Sequence, residues 1–174
     1  MDHKLIIGLG NPDPVLADTY HNVGVLAVHW LAEHIEDGGN TLKFKSYKGL
    51  FEYATVGKKT FIRPLVYMNE SGRAVKEAMH VFDARPNDII IIHDDSDIMV
   101  GDFKRATRGR SAGHNGIQSI IDHLHTEEFA RIRIGIREKD AAHRKKAGDF
   151  VLSPISSQDR MIFEDVFSKL LLSS

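Results

Sequence analysis

The sequence predicts an α/β fold, in which a single domain over residues 1–174 holds a mixed, twisted β-sheet flanked by helices on both faces. The first observation is a run of four isoleucines, Ile89 to Ile92, which is typical of a central strand covered on both faces. The second is that strand-like and helix-like segments alternate along the chain. The third is the composition, 42% hydrophobic and 27% charged, which is ordinary for one globular domain of 174 residues.

Each predicted element is bounded by turn residues or by a change of hydrophobic period. A short apolar strand over residues 4–9 is closed by a Gly-Asn-Pro turn, and apolar residues at helical spacing predict a helix over 22–36. The other predicted elements, in chain order, are a hairpin of strands 50–56 and 60–66, a helix over 71–84, strands over 88–93 and 102–107, a helix over 114–125, a strand over 131–136 and a helix over 158–172.

The composition also excludes several classes of chemistry. The chain has no cysteine, which rules out disulfides, thiol nucleophiles, iron–sulfur clusters and zinc sites with cysteine ligands. The apolar run before Gly8 is only three residues long, and no run approaches the 18 that a membrane span needs. We therefore expect a cytoplasmic protein that makes no contact with a membrane.

Two glycine motifs look like active-site signatures and are better explained as turns. In Gly8-Leu9-Gly10, the third glycine of a dinucleotide-binding loop is replaced by Asp13, and Pro12 prevents a helix from starting at once. A tight turn at a strand end fits better, and it presents Asn11 to the crevice at that edge of the sheet.

Residues 109–113 match the G-x-S-x-G pattern of serine hydrolases letter for letter. A nucleophile elbow requires a buried strand directly before the serine and a helix directly after it. Residues 105–108 are too polar for such a strand, and the predicted helix begins only after Gly113. A loop is the favoured interpretation, and an esterase that uses Ser111 is kept as an alternative.

A histidine and an aspartate lie at positions that a sheet edge would bring together. If the strands beginning at Leu5 and Ile89 are neighbours, their carboxyl ends place Asn11, His21 and Asp94 near one another. A carboxylate beside a histidine fixes its tautomer and stabilises the imidazolium, so the other ring nitrogen can take a proton from water. The aspartates at 94, 95 and 97 could equally cap a turn, and the spacing leaves both interpretations open.

Three aspartates within four residues also suggest a Mg²⁺ site. That hypothesis is the weaker one, because no second acidic cluster in the chain has matching spacing. We expect no metal and no cofactor.

The charge is unevenly distributed, although 23 basic residues nearly balance 24 acidic ones. Residues 101–146 carry a net charge of +5 and the remainder carries −6. Basic residues at 104, 105, 108 and 110 lead into a glycine loop that opens a helix, which favours a track for backbone phosphates. A solvated charged loop is the alternative, and few aromatic residues are interleaved for base stacking.

Six segments occur in an order that resembles the bacterial-type peptidyl-tRNA hydrolases. They are Gly8-Leu9-Gly10-Asn11-Pro12, Thr19-Tyr20-His21-Asn22-Val23-Gly24, Met68-Asn69-Glu70-Ser71-Gly72, His93-Asp94-Asp95-Ser96-Asp97, Gly113-His114-Asn115-Gly116 and Arg133-Ile134-Gly135-Ile136. Each segment is a weak signal, but together they are highly specific.

The resemblance implies hydrolysis of the ester that joins a peptide to the 3′ ribose of tRNA, by a monomer that binds the acceptor end. It implies that His21 is the general base and that Asp94 orients and polarises it. The substrate-binding positions that it implies are Asn11, Leu16, Met68, Asn69 and Asn115. The basic residues that we expect to contact tRNA phosphates are Lys104, Arg105, Arg108 and Arg133.

The chain departs from the family pattern at four positions. It has Asp13 and Ala112 where the family usually has glycine, Leu16 where it has tyrosine, and Tyr20 where it has arginine. Asp13 adds a negative charge beside a cleft for an anionic substrate, and Leu16 removes an aromatic hydroxyl. These changes keep a second hypothesis open, a non-hydrolytic RNA-binding relative such as the family's plastid splicing members.

Overall fold

The computed structural model describes residues 3–35, 42–138 and 150–172. Seven strands form one mixed sheet in the order β2-β3-β4-β1-β5-β7-β6. Their bounds are β1 Lys4–Gly8, β2 Lys45–Tyr47, β3 Phe51–Val56, β4 Lys59–Pro64, β5 Ile89–Met99, β6 Phe103–Ala106 and β7 Ala130–Arg137. The central strand β1 pairs in parallel with both β4 and β5, as the prediction of neighbouring strands at Leu5 and Ile89 requires.

In the described part of the chain, four helices cover the two faces of the sheet and confirm the predicted fold class. Their bounds are α1 Val23–His34, α2 Ser71–Val81, α3 Asn115–Leu124 and α4 Ser157–Leu172. One hydrophobic cluster packs α1 and α4 against the sheet, and a second packs α2 and α3 against the opposite face. Among the described residues, no helix is both long enough and apolar enough to cross a bilayer.

Helix α1 lies unusually close to the centre of the sheet because Gly24 has no side chain. A Cβ atom at Gly24 would lie 2.3 Å from the carbonyl oxygen of Ile92, and one at Gly8 would lie 2.1 Å from the carbonyl oxygen of Gly24. These contacts fix the start of α1 against β1 and β5. The segment just before α1 is therefore held at the carboxyl edge of both strands.

The largest difference from the sequence prediction is the length of β5. The strand was expected to end at position 93, but it continues to Met99. Pairing with β7 extends it, and a register shift between Asp95 and Met99 marks a bulge. The aspartates thus lie in a strand, and the turn-or-cap explanation is wrong for Asp94.

Smaller differences lie at element ends. Strand β2, which pairs with β3 at the sheet edge, was not predicted, and α2 ends at Val81 rather than at 84. The end of the first predicted helix, residue 36, lies outside the described residues, as do four basic residues of the predicted basic stretch, Lys139, Arg144, Lys145 and Lys146.

Candidate active site

The candidate site lies where the sheet topology reverses direction. From β1 the chain builds β2, β3 and β4 on one side, and then crosses through α2 to β5 on the other side. Crevices at the carboxyl ends of such strand pairs are the usual ligand sites of open α/β sheets. His21 lies in a 3₁₀ turn over Tyr20–Asn22, just before α1, and Asp94 lies on β5.

The structure brings His21, Asp94 and His114 into one hydrogen-bonded group, here called the His–Asp–His cluster. His21 Nδ1 is 2.9 Å from each carboxylate oxygen of Asp94. His114 Nε2 is 2.9 Å from Asp94 Oδ1. Asp94 is only 3% exposed, so both histidines approach a buried carboxylate.

The tautomers of both histidines follow from their partners. His114 is the N-cap of α3, where its Nδ1 accepts hydrogen bonds from the backbone N–H groups of Gly116 and Ile117. Its proton is therefore on Nε2, which donates to Asp94. His21 likewise donates from Nδ1 to the carboxylate, which leaves its Nε2 as the free lone pair of a neutral ring.

Asp94 stays ionised because of these two neighbours. Burial by itself raises the pKa of a carboxyl group, but the electrostatic interaction with the His114 ring and the hydrogen bonds from His114 and His21 outweigh that effect. The net result holds the pKa of Asp94 well below its usual range. The carboxylate is thus charged at any pH at which the protein works.

His93 lies beneath this cluster and supports it. Its Nδ1 donates to the main-chain carbonyl of Asp94 at 2.7 Å, and its ring meets that of His114 edge to face with centroids 4.7 Å apart. Burial lowers the pKa of His93 to about 3. Among the described residues, its Nε2 is buried without a hydrogen-bond partner, which is consistent with a permanently neutral ring.

His93 makes the protein sensitive to acid. In the unfolded chain its pKa is near the ordinary histidine value of 6.5, so between pH 6.5 and about 3 the unfolded state binds one more proton than the folded state. Stability therefore falls as the pH falls through this window, by up to about 1.4 kcal/mol per pH unit from this group.

We expect His93→Asn, whose amide can still donate to the Asp94 carbonyl, to flatten the dependence of unfolding free energy on pH. Urea denaturation between pH 4.5 and 6.5 measures that slope. His80→Asn, which changes an exposed histidine on α2, is the matched control. Equal slopes for wild type and His93→Asn would contradict the assignment of this acid sensitivity to His93.

The same cluster has the composition of a metal site, since its three ligand atoms lie within 4.8 Å of one another. The tautomer of His114 argues against that use. Its Nδ1 already accepts two N–H groups, so a metal on Nε2 would require a ring with no proton on either nitrogen. The cluster is therefore suited to hold protons and not a metal ion, because its carboxylate accepts hydrogen bonds from the N–H groups of both histidines.

A cleft of about 320 Å³ opens over the His–Asp–His cluster. The loop before α3 forms one wall with Ser111, Ala112 and Gly113, and Asn115 lies at the start of the helix. Ser111 Oγ donates to Gln118 Oε1 at 2.8 Å, and eight residues separate β6 from α3, so this loop has no nucleophile elbow. Ala112 adopts a positive φ of 49°, a conformation that favours glycine.

Two of the residues predicted to bind substrate, Asn11 and Met68, are hydrogen-bonded to each other. Asn11 Oδ1 accepts the backbone N–H of Met68 at 2.9 Å, and Met68 is buried with its sulfur against Gly116 of α3. Among the described residues, no hydrogen bond joins Asn11 to His21 or Asp94. Asn11 instead holds the backbone of Met68, whose sulfur lies against α3.

Asn69 and Asn115 are exposed, and Asn115 lines the cleft. Leu16 is half-buried in a 3₁₀ turn, Pro14–Leu16, that begins the segment leading to His21. The carboxylate of Asp13 caps this turn by accepting the backbone N–H of Val15 at 2.9 Å. Its charge is therefore held by a local structural contact.

Tyr20 is a structural residue rather than part of the cleft. Its ring stacks on Phe150 at 4.5 Å, and its hydroxyl donates to Asp159 of α4 at 2.6 Å. The backbone N–H of His21 donates to the carbonyl of Val151 at 2.8 Å. The segment around residues 150–159 thus holds the 3₁₀ turn that carries His21.

The predicted basic residues lie on β6, on β7 and on the loop that follows β6. Lys104 and Arg105 are exposed on β6, Arg108 is exposed on the loop, and Arg133 lies opposite Lys104 on β7. Arg133 Nε donates to Asp95 at 2.7 Å.

Sequence reasoning missed the roles of His114 and Arg131. His114 was noticed at a helix start, but only its N-cap geometry shows that the ring turns back toward Asp94. Arg131 is 4% exposed and donates to the backbone carbonyls of Gly109, Arg110 and Glu127. It therefore anchors the basic loop from below, and nothing in the sequence distinguishes it from Arg133.

Comparison with known proteins agrees with this geometry. The family model described as peptidyl-tRNA hydrolase matches residues 5–172. The chain is 41% identical over 163 residues to the peptidyl-tRNA hydrolase of Ligilactobacillus salivarius, covering 93% of this chain and 85% of that protein. It is 46% identical over 137 residues to that of Caldicellulosiruptor bescii, covering 78% and 71%.

A crystal structure of peptidyl-tRNA hydrolase from Acinetobacter baumannii superposes with a TM-score of 0.83 at 28% identity, covering 98% of this chain and 86% of that one. The match to the family model, over residues 5–172, includes the sheet, the four described helices and the sheet edge that carries the His–Asp–His cluster. The chain therefore belongs to the peptidyl-tRNA hydrolase family, whose members are hydrolases.

Proposed function

We propose that this enzyme cleaves peptidyl-tRNA with a water molecule activated by His21, and that Asp94 holds His21 in the active tautomer. The observation that carries the proposal is the placement of His21 Nδ1 at 2.9 Å from both oxygens of a buried, ionised carboxylate. That contact leaves Nε2 free to take a proton.

The reaction then runs in two steps. Water attacks the carbonyl carbon of the ester while His21 Nε2 takes its proton, and the imidazolium that forms is stabilised by Asp94. When the tetrahedral intermediate collapses, the bond to the ribose 3′ oxygen breaks and that oxygen receives the proton back from His21. The products are a peptide with a free carboxyl group and tRNA with a free 3′ hydroxyl.

Side-chain amides supply the remaining polar contacts. Asn69 and Asn115 are exposed, and Asn115 lines the cleft at the N-terminus of α3, where the helix dipole favours developing negative charge. Asn11 holds Met68 in place by accepting a hydrogen bond from its backbone N–H. Leu16 gives the 3₁₀ turn Pro14–Leu16 an apolar side chain, which is suited to contact the peptide and not the RNA.

The tRNA lies along β6 and the loop after it in this proposal. Lys104, Arg105, Arg108 and Arg133 contact backbone phosphates, and such contacts give affinity that depends on salt and not on base sequence. We further propose that the enzyme acts as a monomer in the cytoplasm, without a metal ion.

A cleavage assay on purified peptidyl-tRNA, run with and without EDTA, tests the reaction and the metal requirement together. We expect equal turnover in both conditions. Loss of turnover in EDTA would contradict a mechanism without a metal ion. Binding of peptidyl-tRNA without turnover in either condition would favour the non-hydrolytic RNA-binding alternative.

The serine esterase alternative is tested separately. Because Ser111 Oγ donates to Gln118 and has no histidine partner among the described residues, we expect Ser111→Ala to retain activity within about twofold, as for a surface substitution. A fluorophosphonate probe should leave the protein unlabelled. Labelling that disappears in Ser111→Ala would instead identify Ser111 as a nucleophile.

A further inference from the structure

Asp95 follows Asp94 on β5, and both of its carboxylate oxygens are occupied. Oδ1 accepts the backbone N–H of Asp97 at 2.8 Å, and Oδ2 accepts Nε of Arg133 at 2.7 Å. The carboxylate is 9% exposed and the Arg133 side chain is 31% exposed. Asp95 is therefore a fixed acceptor, and Arg133 is held by its inner nitrogen while its outer end reaches solvent.

The bond through Nε leaves the two terminal nitrogens of Arg133 for another partner. Four N–H groups in a planar fork suit the oxygens of a phosphate. Lys104 lies directly across from Arg133 in the β6–β7 register, so both cations project from the same face. Within the part of the chain that the structure describes, Asp95 is the only carboxylate in ion-pair contact with either of them.

The β5–β7 register places this contact close to the catalytic strand. His93 lies opposite Arg133, and Asp95 lies opposite Gly135 two positions further along β7. The Arg133 side chain therefore runs along the sheet toward the carboxyl edge, where Asp95 also lines the cleft. Two adjacent residues of one strand thus hold the base through Asp94 and the guanidinium through Asp95.

We propose that Asp95 is a positioning residue for tRNA binding, which aims Arg133 at a backbone phosphate and fixes the distance from that phosphate to the His–Asp–His cluster. This inference rests on the proposed function of Arg133 as a phosphate contact. In this role the negative charge of Asp95 favours tRNA binding indirectly, because it holds the guanidinium group of Arg133 in place.

The sign of one substitution separates this role from simple electrostatics. Removing a negative charge near a phosphate should strengthen tRNA binding if charge alone matters. Removing the carboxylate that holds Arg133 should weaken binding. The Arg133 side chain would then be mobile in the free protein, and its loss of conformational entropy on binding tRNA would reduce the affinity. For Asp95→Asn we expect the Kd for deacylated tRNA and the KM for cleavage to rise about threefold to tenfold, the cost of ordering one long side chain at an interface.

The coupling to Arg133 is tested by a double-mutant cycle. In an Arg133→Ala background, Asp95→Asn should no longer weaken binding. In a Lys104→Ala background, which removes the neighbouring cation but leaves the anchor in place, the weakening should persist. Arg133→Ala should also reduce the slope of log Kd against log salt by about one phosphate contact.

Tighter or unchanged binding by Asp95→Asn would overturn the proposal, and so would a weakening that persists without Arg133. Binding of deacylated tRNA is measured without turnover, so failure of this inference is distinguishable from failure of the hydrolytic mechanism, which appears as loss of cleavage by the wild type. Asp95→Glu, which restores a carboxylate, should recover part of the lost affinity, and urea denaturation confirms that each variant is folded.

Discussion

His21→Ala is expected to lower kcat for peptidyl-tRNA cleavage by about 10²–10⁴-fold, while the Kd for tRNA changes by less than about twofold. A general base contributes on the order of 10²–10⁴-fold to such a step, and His21 Nε2 is the lone pair that the cluster leaves free at the cleft. The measurement is single-turnover cleavage with enzyme in excess, which isolates the chemical step.

The matched control is His80→Ala, which removes an exposed histidine from α2. Its cleavage rate should equal that of the wild type. If His21→Ala cleaved at a rate near that of the control, His21 would not be the base. Loss of tRNA binding together with cleavage would show that the substitution had disturbed the 3₁₀ turn instead.

Asp94→Asn is expected to lower kcat by about 10²–10⁴-fold, the range seen when a histidine loses the carboxylate that fixes its tautomer. Both histidines donate to this carboxylate, and His21 Nδ1 faces both of its oxygens. An amide offers one oxygen and one NH₂ group, so its nitrogen would oppose the Nδ1–H of His21, donor against donor.

Measurements of tRNA binding and of urea denaturation distinguish this tautomer effect from a loss of fold. Asp94→Asn should retain tRNA binding and a cooperative urea transition, with the loss confined to the chemical step. Asp94→Glu, which keeps the charge but moves it by one methylene, should lose less activity than Asp94→Asn. Equal activity of Asp94→Asn and wild type would remove the carboxylate from the mechanism.

The sequence was sufficient to identify two buried strands, from a continuous isoleucine run and a Gly-Asn-Pro turn. It placed His21 near Asp94 only on the condition that these strands are neighbours, and the structure meets that condition. The sequence could not predict where β5 ends, because the polar residues from His93 to Asp97 remain in the strand only through pairing with β7. Tertiary pairing overrides local propensity at that point.

Side-chain direction was the other limit. Arg131 and Arg133 share one face of β7, yet one is buried on the carbonyls of a loop and the other pairs with Asp95. His114 looked like any helix-start residue until its N-cap bonds fixed the ring. These roles depend on where a distant loop or strand lies, and a sequence pattern does not contain that position.

The attachment of His21 to the segment around residues 150–159 has a consequence for protein synthesis. The Tyr20 hydroxyl is tied to Asp159, a residue 139 positions later in the chain, and the backbone of His21 is tied to Val151. While it is being translated, the enzyme is itself a peptide esterified to tRNA, the chemical class that it cleaves. These contacts can hold the 3₁₀ turn that carries His21 only after residue 159 has left the ribosome and folded back. If His21 is the base, as proposed above, catalytic competence arrives late in the growth of the chain.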